Sequence, residues 1–519
     1  MKQCILIATL LTTVSLHAET FDILIRNGRV VDGTGNPWYF ADIGIRDGRV
    51  AAMGRLTDAD ADVVIDASGL YVAPGFIDVH SHAEGGLARS DLKAARSLLA
   101  QGVTTVVVNP DGGGPWPLSE QRAGYESRGI GVNVALMVGH ATLRRAVMGV
   151  EDRPPSDDEL EQMKAMVRDG MDAGAFGLSS GLYYAPGSYA STEEVIALAK
   201  EVYPAGVYSS HIRDEGDYSV GLLAAVDEVV RIAEEARIPG IVTHMKALGP
   251  DSWGKAVAAC WRIERARARG VSVWADQYPY EASATSLSGA LVPRWALAGE
   301  TMPGQPSPLD RRLANPRERA RLREGMLANL ERRGGAATFQ ISRHAANPDI
   351  EGRNLAELAS ERGVEPIELA LELLDAGGAG IVSFNMSEDD IAHIMRQDYT
   401  MTSSDGGLVA IGEGKPHPRF YGAHPRKIAR YVRERRVVGL AHAIRSMTSL
   451  PAAVFGIADR GQLRPGGWAD VVVFDLEKVE DRATYDDPHQ LAEGMVHVLV
   501  NGRPTEGGVL AGRVLRPGN

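Results

Sequence analysis

The sequence predicts an α/β protein in which a (β/α)8 barrel of the TIM type carries a small β-sandwich domain built from both termini. First, runs typical of buried strands alternate with helical stretches through the middle of the chain, as in parallel βα units. Second, eight such strands occur within about 330 residues, which is the number that closes a barrel. Third, both ends alternate apolar and polar residues around NG, DG and TG turns.

The N-terminal residues 1–18 are typical of a cleaved secretory signal peptide. Lys2 precedes an apolar run from Cys4 to Leu10, and Ala18 is the expected cleavage site. A buried first helix is the alternative, but the run is short and follows a cation. We therefore expect an exported protein, periplasmic or secreted. Removal of the signal would leave Cys260 as the only thiol, so no intramolecular disulfide is expected.

Residues 19–72 and 463–519 are predicted to form the two parts of the β-sandwich. The first part contains FDILIRNGRVVDGTG and ADIGIRDGRVAAMG, which are expected to form short antiparallel strands. The second part contains GQLRPGGWADVVVFD and HVLVNGRPTEGGVLAGRVLRPG, which have the same pattern. Two separate β caps are the alternative.

Residues 73–462 are predicted to form the barrel. Helices are expected between its strands, for instance over Thr192–Val202 and Val220–Ala236, where apolar residues recur every three or four positions. The alternation lapses at about 281–343, which we interpret as an insertion near the barrel mouth, and Ile381–Asn385 is a ninth candidate strand. The eight expected barrel strands are GFIDVHSH, VTTVVVNPDG, GVNVALMVGH, AFGLSSGLYY, GVYSSHIRDEG, GIVTHMKALG, VSVWADQYPY and YTMTSSDGG.

The overall composition restricts the partners. The apolar fraction of 44% and the charged fraction of 24% are those of a globular protein. The net charge of −12, without a basic stripe, argues against nucleic acid. No stretch after the signal has the length of a membrane span. A small-molecule substrate is expected, and the oligomeric state is open.

Six side chains at predicted strand ends suggest a metal site. His80 and His82 are two residues apart on a strand, so their imidazoles point to the same side. The carboxyl ends of barrel strands open onto one face, and neutral imidazoles and carboxylates suit a zinc-like ion. Any one of these residues alone could be structural, but together they predict a metal site. The six are His80, His82, Asp111, His211, His244 and Asp405.

Eight segments in order carry a resemblance to a known family. They resemble the amidohydrolase superfamily and, within it, the D-aminoacylase (N-acyl-D-amino-acid deacylase) family. The resemblance implies a hydrolase that cleaves the amide bond of N-acyl-D-amino acids with one or two divalent metals, expected to be Zn²⁺. The segments are PGFIDVHSH, GVTTVVV, SSGLYYAPGSYAS, SSHIRDEG, THMKALG, YPYEASATSL, SSDGG and HPRFYGAHPRKIARYVRE.

The resemblance also implies the roles of the metal-site residues. His80, His82 and Asp405 would hold one metal position, and His211 with His244 the second. Asp405 would in addition be the catalytic general base for a metal-activated water.

Substrate-binding residues follow from the same resemblance. Lys246, Arg419 and Tyr184 would bind the free α-carboxylate of the substrate, a group that suits an ammonium and a forked guanidinium. His140, in GHATLR, is expected either to line the pocket or to support the site from behind its ligands, rather than to bind metal. Arg213 and Glu215 are expected to orient His211, since such partners fix the tautomer of a ligand. These positions are all read from the sequence.

Two positions depart from the family pattern. The family usually has a Cys after the second strand, where this chain has Asp111; its carboxylate could bridge two metals, or brace a neighbour in a mononuclear site. His424, in YGAHP, could reshape the pocket near Arg419. A dipeptide or cyclic amide substrate, or a non-catalytic metal- or ligand-binding relative, are the alternatives. The acyl group, the side-chain preference, the D-selectivity and the metal count are left open.

Overall fold

The computed structural model describes residues 20–300 and 304–518. The expected signal peptide at 1–18 lies outside the described residues. The strands are β1 (Thr20–Val30), β2 (Tyr39–Arg46), β3 (Arg49–Gly54), β4 (Asp60–Asp66), β5 (Tyr71–Pro74), β6 (Phe76–Asp78), β7 (Ser81–His82), β8 (Val103–Val108), β9 (Asn133–Leu136), β10 (Val138–Gly139), β11 (Gly177–Gly181), β12 (Val207–His211), β13 (Gly240–Val242), β14 (Val273–Gln277), β15 (Ala282–Ser286), β16 (Phe339–Arg343), β17 (Gly380–Phe384), β18 (Thr400–Thr402), β19 (Gly406–Gly407), β20 (Val471–Phe474), β21 (Met495–Val500) and β22 (Arg503–Pro504).

Helices follow most of the barrel strands and cover the outside of the sheet. A π-helical segment, Lys427–Glu434, continues the fifteenth helix. The α-helices are α1 (Glu84–Leu87), α2 (Arg96–Leu99), α3 (Leu118–Arg128), α4 (His140–Met148), α5 (Asp157–Asp172), α6 (Thr192–Lys200), α7 (Leu222–Ala236), α8 (Lys255–Ala268), α9 (Leu287–Leu291), α10 (Pro308–Ala314), α11 (Pro316–Arg332), α12 (Leu355–Arg362), α13 (Pro366–Asp375), α14 (Glu388–Met395), α15 (Arg419–Arg426), α16 (Leu440–Met447) and α17 (Ser449–Phe455).

One sheet joins the two ends of the chain. Its strand order is β22-β21-β20-β5-β1-β2-β3, with β4 beside β1, so the two ends do not form separate caps. Strand β5 of the N-terminal part pairs antiparallel with β20 of the C-terminal part, with Val72 opposite Val473. The Asp47-Gly48 turn has positive φ at both residues, as a two-residue hairpin requires. Strands β1, β2 and β3 pair antiparallel, as predicted, whereas β4 and β5 run parallel to β1.

The predicted barrel strands are all present and parallel. Strands β6, β8 and β9 form one part of the barrel, and β10, β11, β12, β13, β14 and β18 form the other. The two parts are continuous in the chain between β9 and β10. At the opposite seam β7 pairs with β19, and the Asp405 amide donates to the His80 carbonyl at 2.9 Å. These contacts close the cylinder and bring the carboxyl ends of its first and last strands together.

The insertion is longer than the predicted 281–343. Its three strands form an antiparallel sheet in the order β15-β17-β16, so the ninth candidate strand belongs to the insertion and not to the barrel. Helices α9 to α13 pack on this sheet around a separate apolar core that includes Leu287, Phe339 and Leu369. The inserted unit therefore continues to Phe384, because β17 supplies the central strand of its sheet.

Cys260 is a buried free thiol on α8. Within residues 20–300 and 304–518, none of the helices has both the length and the apolar character that a membrane crossing demands.

Candidate metal centre

The six predicted ligands converge at the carboxyl ends of the barrel strands. They form two overlapping groups, in each of which the donor atoms lie within 4.8 Å of one another. One group contains His80, His82, Asp111 and Asp405, and the other contains Asp111, His211 and His244. Residues up to 325 positions apart in the sequence thus meet at one mouth, as the barrel geometry predicts.

Asp111 occupies the middle of the cluster. Its Oδ1 lies 3.3 Å from His80 Nε2, 3.6 Å from His244 Nε2 and 3.8 Å from His211 Nδ1, and its Oδ2 lies 3.5 Å from His82 Nε2. Burial raises the pKa of Asp111, but the surrounding histidines lower it by more, so that the net pKa is well below the ordinary value. A carboxylate held ionised between four imidazoles is placed to contact both groups.

The polar atoms of the cluster lack the partners that buried groups normally have. Neither ring nitrogen of His80 or His211 makes a hydrogen bond, and Oδ1 of Asp111 makes none either. Native proteins rarely leave such atoms unsatisfied without a water, an ion or a functional reason. Imidazole nitrogens and carboxylate oxygens are the donors that zinc takes in proteins. The residues present therefore fit a divalent metal.

The backbone at three of the six positions adopts a rarely populated conformation. The φ angle is +55° at Asp111, +34° at His244 and +50° at Asp405. Left-handed φ values are uncommon for residues other than glycine and concentrate at functional sites. Each of the three lies just beyond a strand, where the turn directs the side chain into the mouth.

Two carboxylates beside the cluster, neither of them predicted from the sequence, hold its backbone in place. Asp276 Oδ1, at the end of β14, accepts from the His244 amide at 2.8 Å and from Ser403 Oγ at 2.6 Å. Asp78 accepts from the Ser404 amide at 2.8 Å, and burial raises its pKa to about 6. Asp78 lies two residues before His80, so strand alternation could have placed it on the same side.

A cavity of about 550 Å³ opens over the cluster and contains the three predicted carboxylate-binding residues. Arg419 Nη1 lies 2.8 Å from Asp405 Oδ2, and Lys246 Nζ lies 2.5 Å from Glu215 Oε1. The Tyr184 ring packs on His211, with ring centroids 4.7 Å apart. The geometry thus brings Lys246, Arg419 and Tyr184 to the wall of the same cavity as the cluster.

The charge on Asp405 is stabilised by its neighbours. Burial raises the pKa of this carboxyl group, but Arg419 and the histidines lower it by more, and the net pKa is far below the ordinary value. Asp405 is therefore ionised at neutral pH. Its Oδ1 lies 3.3 Å from His82 Nε2, so one oxygen faces the cluster while the other faces Arg419.

Glu215 orients His244 more closely than His211. Glu215 Oε1 lies 3.0 Å from His244 Nδ1, whereas Oε2 lies 3.8 Å from His211 Nε2. Lys246 Nζ is also 2.8 Å from His244 Nδ1. The predicted role of Glu215 beside a ligand fits this geometry, with His244 as its nearer partner.

The structure places three other predicted residues away from their expected contacts. His140 is fully buried outside the cavity wall, where its Nε2 lies 2.9 Å from Glu194 Oε1, so of its two predicted roles the structure fits support from behind the site and not contact with substrate. Arg213 forms an ion pair with Glu228 and does not reach His211. His424 stacks on Phe76 of β6 and does not line the pocket. Packing partners distant in sequence decide all three orientations.

Comparison with known proteins identifies the family. The sequence model of the amidohydrolase family matches residues 63–505. The chain belongs to the amidohydrolase family. This amidohydrolase is 37% identical over 507 residues to the N-acyl-D-glutamate deacylase of Alcaligenes xylosoxydans xylosoxydans, covering 93% of each chain. It is 35% identical over 512 residues to the D-aminoacylase of the same organism, covering 94% of this chain and 95% of the relative.

A solved structure resembles this amidohydrolase over nearly its whole length. The N-acyl-D-glutamate deacylase of Bordetella bronchiseptica, crystallised with zinc and a phosphonate inhibitor that mimics the tetrahedral intermediate, is 35% identical with a TM-score of 0.82. The match covers 96% of this chain and all of the other. The predicted fold class, a (β/α)8 barrel with a β-sandwich, is confirmed.

Proposed function

We propose that this amidohydrolase is a metal-dependent deacylase that hydrolyses the amide bond of N-acyl-D-amino acids. The observation that carries the proposal is the convergence of four histidines and two aspartates, with unsatisfied buried nitrogens, in a cavity that also holds Lys246 and Arg419. The two Alcaligenes relatives, named for N-acyl-D-glutamate and D-aminoacyl substrates, support it.

The cluster provides two metal positions. His80, His82 and Asp405 would hold one divalent ion, expected to be zinc, and His211 and His244 the other, with Asp111 between them. When bound, such an ion polarises a carbonyl oxygen and lowers the pKa of water from 15.7 toward about 7.

Asp405 serves as the general base. Its ionised carboxylate accepts the proton of the attacking water and returns it to the nitrogen of the leaving amine, a role that contributes about 10²- to 10⁴-fold to such reactions. Arg419 keeps Asp405 ionised and holds one of its oxygens in place. The base thus remains charged in the buried mouth.

The substrate's free carboxylate is bound by the cations of the cavity. Arg419 Nη1 faces Asp405, and a guanidinium has five N–H donors, so other donors of Arg419 remain for a substrate carboxylate. Lys246 adds a second positive charge, and the Tyr184 hydroxyl, 3.2 Å from Thr285 Oγ1, adds a donor. Fixing the carboxylate places the adjacent amide over the cluster.

A substrate panel tests the proposal. Purified protein loaded with zinc is assayed on matched N-acetyl-D- and N-acetyl-L-amino acids, D-dipeptides and hydantoins, with and without a chelator. We expect hydrolysis of the N-acetyl-D-amino acids that is lost on chelation and restored by zinc. Chelator-independent turnover, or turnover of the dipeptides or hydantoins alone, contradicts the proposal.

Substitution of the base gives a second test. We expect Asp405→Asn to lower kcat per bound metal by about 10²- to 10⁴-fold, because the amide cannot take up the proton. Asp398→Asn, at an exposed side chain, is the matched control and should keep full activity. A normal kcat in Asp405→Asn at normal metal content would show that a residue other than Asp405 transfers the proton.

We further propose that the protein is exported. The cation, apolar run and Ala18 at the N-terminus support this. Expression with a C-terminal tag in a Gram-negative host, followed by fractionation and N-terminal sequencing, is expected to give a periplasmic protein that begins at Glu19. Recovery of the chain in the cytosol with Met1 retained would contradict export.

A further inference from the structure

Arg333 is unlike the other buried arginines of the described chain. It directly follows α11 of the insertion, and only 3% of its surface is exposed. Four others have a carboxylate partner: Arg122 with Glu126, Arg144 with Glu194, Arg419 with Asp405 and Arg460 with Asp470. Arg333 has no carboxylate within 4.0 Å among residues 20–300 and 304–518.

The contacts that Arg333 does make are neutral and incomplete. Its Nη2 donates to the Tyr183 hydroxyl at 3.4 Å. With the Asn385 amide oriented to satisfy its neighbours, Nη1 donates to its oxygen at 3.1 Å, and Nε has no partner. A guanidinium has five N–H donors, so most of them are left for another group. A buried charge without a counter-ion is costly, and a protein retains one where it has a use.

Arg333 belongs to the wall of the cavity that opens over the metal centre. The Tyr183 ring lies between it and the cluster, with its centroid 5.5 Å from that of His211. Lys246 and Arg419 reach the cavity from barrel elements and pair with Glu215 and Asp405. Arg333 instead comes from the insertion, beside Ser283 and Asn385. Arg145 and Arg343 also line the cavity but are exposed, so Arg333 is a third buried cation in the wall, separate from the pair assigned to the α-carboxylate.

We infer that Arg333 binds a second carboxylate of the substrate, so that the enzyme prefers dianionic N-acyl-amino acids. This inference rests on the proposed function: the metal centre receives the amide, Lys246 and Arg419 receive the α-carboxylate, and Arg333 receives the far end of the molecule. The second carboxylate belongs either to the amino-acid side chain or to the acyl group. A forked guanidinium binds either one by two parallel hydrogen bonds.

Two pairs of substrates of similar size distinguish these sources. N-Acetyl-D-glutamate against N-acetyl-D-glutamine tests a side-chain carboxylate, and N-succinyl-D-leucine against N-valeryl-D-leucine tests an acyl carboxylate. Arg333 can serve only one of the two sources, so we expect an acid preference in one of the two pairs. In that pair wild-type kcat/KM should favour the acid by at least about 30-fold, the lower end of the effect of a buried charged contact. We expect Arg333→Gln to abolish that preference while kcat/KM for the neutral member changes less than about threefold.

The matched control is Arg343→Gln. Arg343 lines the same cavity, but its side chain is 62% exposed and pairs with Glu413 at 3.1 Å. This variant should keep the wild-type preference, and Arg333→Lys should keep part of it. An absence of acid preference in both wild-type pairs overturns the inference. So does an equal loss on acidic and neutral substrates in Arg333→Gln, because that result indicates a structural role.

A binding measurement separates this inference from the proposed function. Zinc-loaded protein is titrated with glutarate and with valerate, and protection is followed by thermal unfolding. We expect glutarate to protect the wild type and Arg343→Gln but not Arg333→Gln, and valerate to protect all three weakly. If none of the four substrates is hydrolysed, the proposed function fails. Loss of glutarate protection in Arg333→Gln alone would even then support a carboxylate-binding site at Arg333. Equal glutarate protection in all three proteins overturns the inference that Arg333 binds a carboxylate.

Discussion

Asp111 is the residue on which the two halves of the metal centre depend. It is the member that the two groups of ligands share: its Oδ1 lies within 3.8 Å of His80, His211 and His244, and its Oδ2 lies 3.5 Å from His82. The sequence could place it at a strand end but left two roles open, a bridge or a brace. Its central position, contacting both groups, favours the bridge.

Replacement of Asp111 should therefore affect both metal positions. We expect Asp111→Asn to reduce zinc content to less than half of the wild-type value, because an amide brings no negative charge to either position. We expect His211→Ala to reduce the zinc content of only one of the two metal positions. Metal analysis after gel filtration at fixed free zinc measures both. An unchanged zinc content in Asp111→Asn would show that the residue only braces its neighbours.

The element formed by α15 and the π-helical segment after it carries both functional and buried polar groups. Arg419, at its start, reaches Asp405, while His424 and Lys427 point into the protein interior. Lys427 Nζ donates to Thr402 Oγ1 at 2.8 Å and to Ser446 Oγ at 2.7 Å, and burial lowers its pKa to about 7. His424 has no hydrogen-bond partner for either ring nitrogen. This element therefore contains two buried groups whose pKa values are lowered, mainly by burial.

His424 should make the protein less stable in acid. Burial, and then Lys427, lowers its pKa to about 3, whereas the unfolded chain has the ordinary value of about 6.5. Below pH 6.5 the unfolded chain binds a proton that the folded chain does not, so stability is complete above 6.5 and falls as the pH drops. At pH 5 the loss is about 2 kcal/mol.

The variant His424→Leu tests this assignment. It removes the titrating group, so between pH 7.5 and pH 5.0 the wild type should lose about 2 kcal/mol more unfolding free energy than the variant. Urea unfolding of both proteins in the presence of a chelator measures the difference without a contribution from metal binding. Parallel pH profiles would show that His424 is not the group responsible.

At the scale of the whole molecule, a buried polar network joins the barrel to the terminal sheet. Asp470, just before β20, accepts from the Asn501 amide at 2.7 Å and from Asn133 Nδ2 at 3.2 Å, and it pairs with Arg460. Asn133 is the first residue of its barrel strand, whereas the metal centre lies at the carboxyl ends. The network therefore holds the two domains together at a distance from the catalytic face.

Breaking this network should destabilise the protein without changing its chemistry. We expect Asp470→Ala to cost about 3–5 kcal/mol, because Arg460 would remain buried without a partner. Asp459→Ala removes an exposed carboxylate that pairs with Arg49 and Arg464, and it should cost less than about 1 kcal/mol. Urea unfolding of the zinc-loaded proteins measures both. A similar cost in the two variants, or loss of kcat at 25 °C in Asp470→Ala, would contradict the argument.

Much of the fold and the metal centre follows from local sequence. Strand alternation places His80 and His82 on one side, and the rule that barrel strands open at one face brings Asp111, His211 and Asp405 to the same mouth. Those inferences need only the alternation of side chains along a strand and the pattern of parallel βα units. They do not depend on knowing which distant residues touch.

The tertiary structure alone decided which partner each polar side chain has. It pairs His140 with Glu194, turns Arg213 to Glu228, extends the insertion to Phe384 and leaves Arg333 without a counter-ion. The physical reason is that a side chain's partner depends on packing between elements far apart in sequence, whereas strand period, turn chemistry and strand-end position are properties of neighbouring residues. The sequence thus determined which groups reach the catalytic mouth, and the packing determined which charges there remain free to bind a substrate.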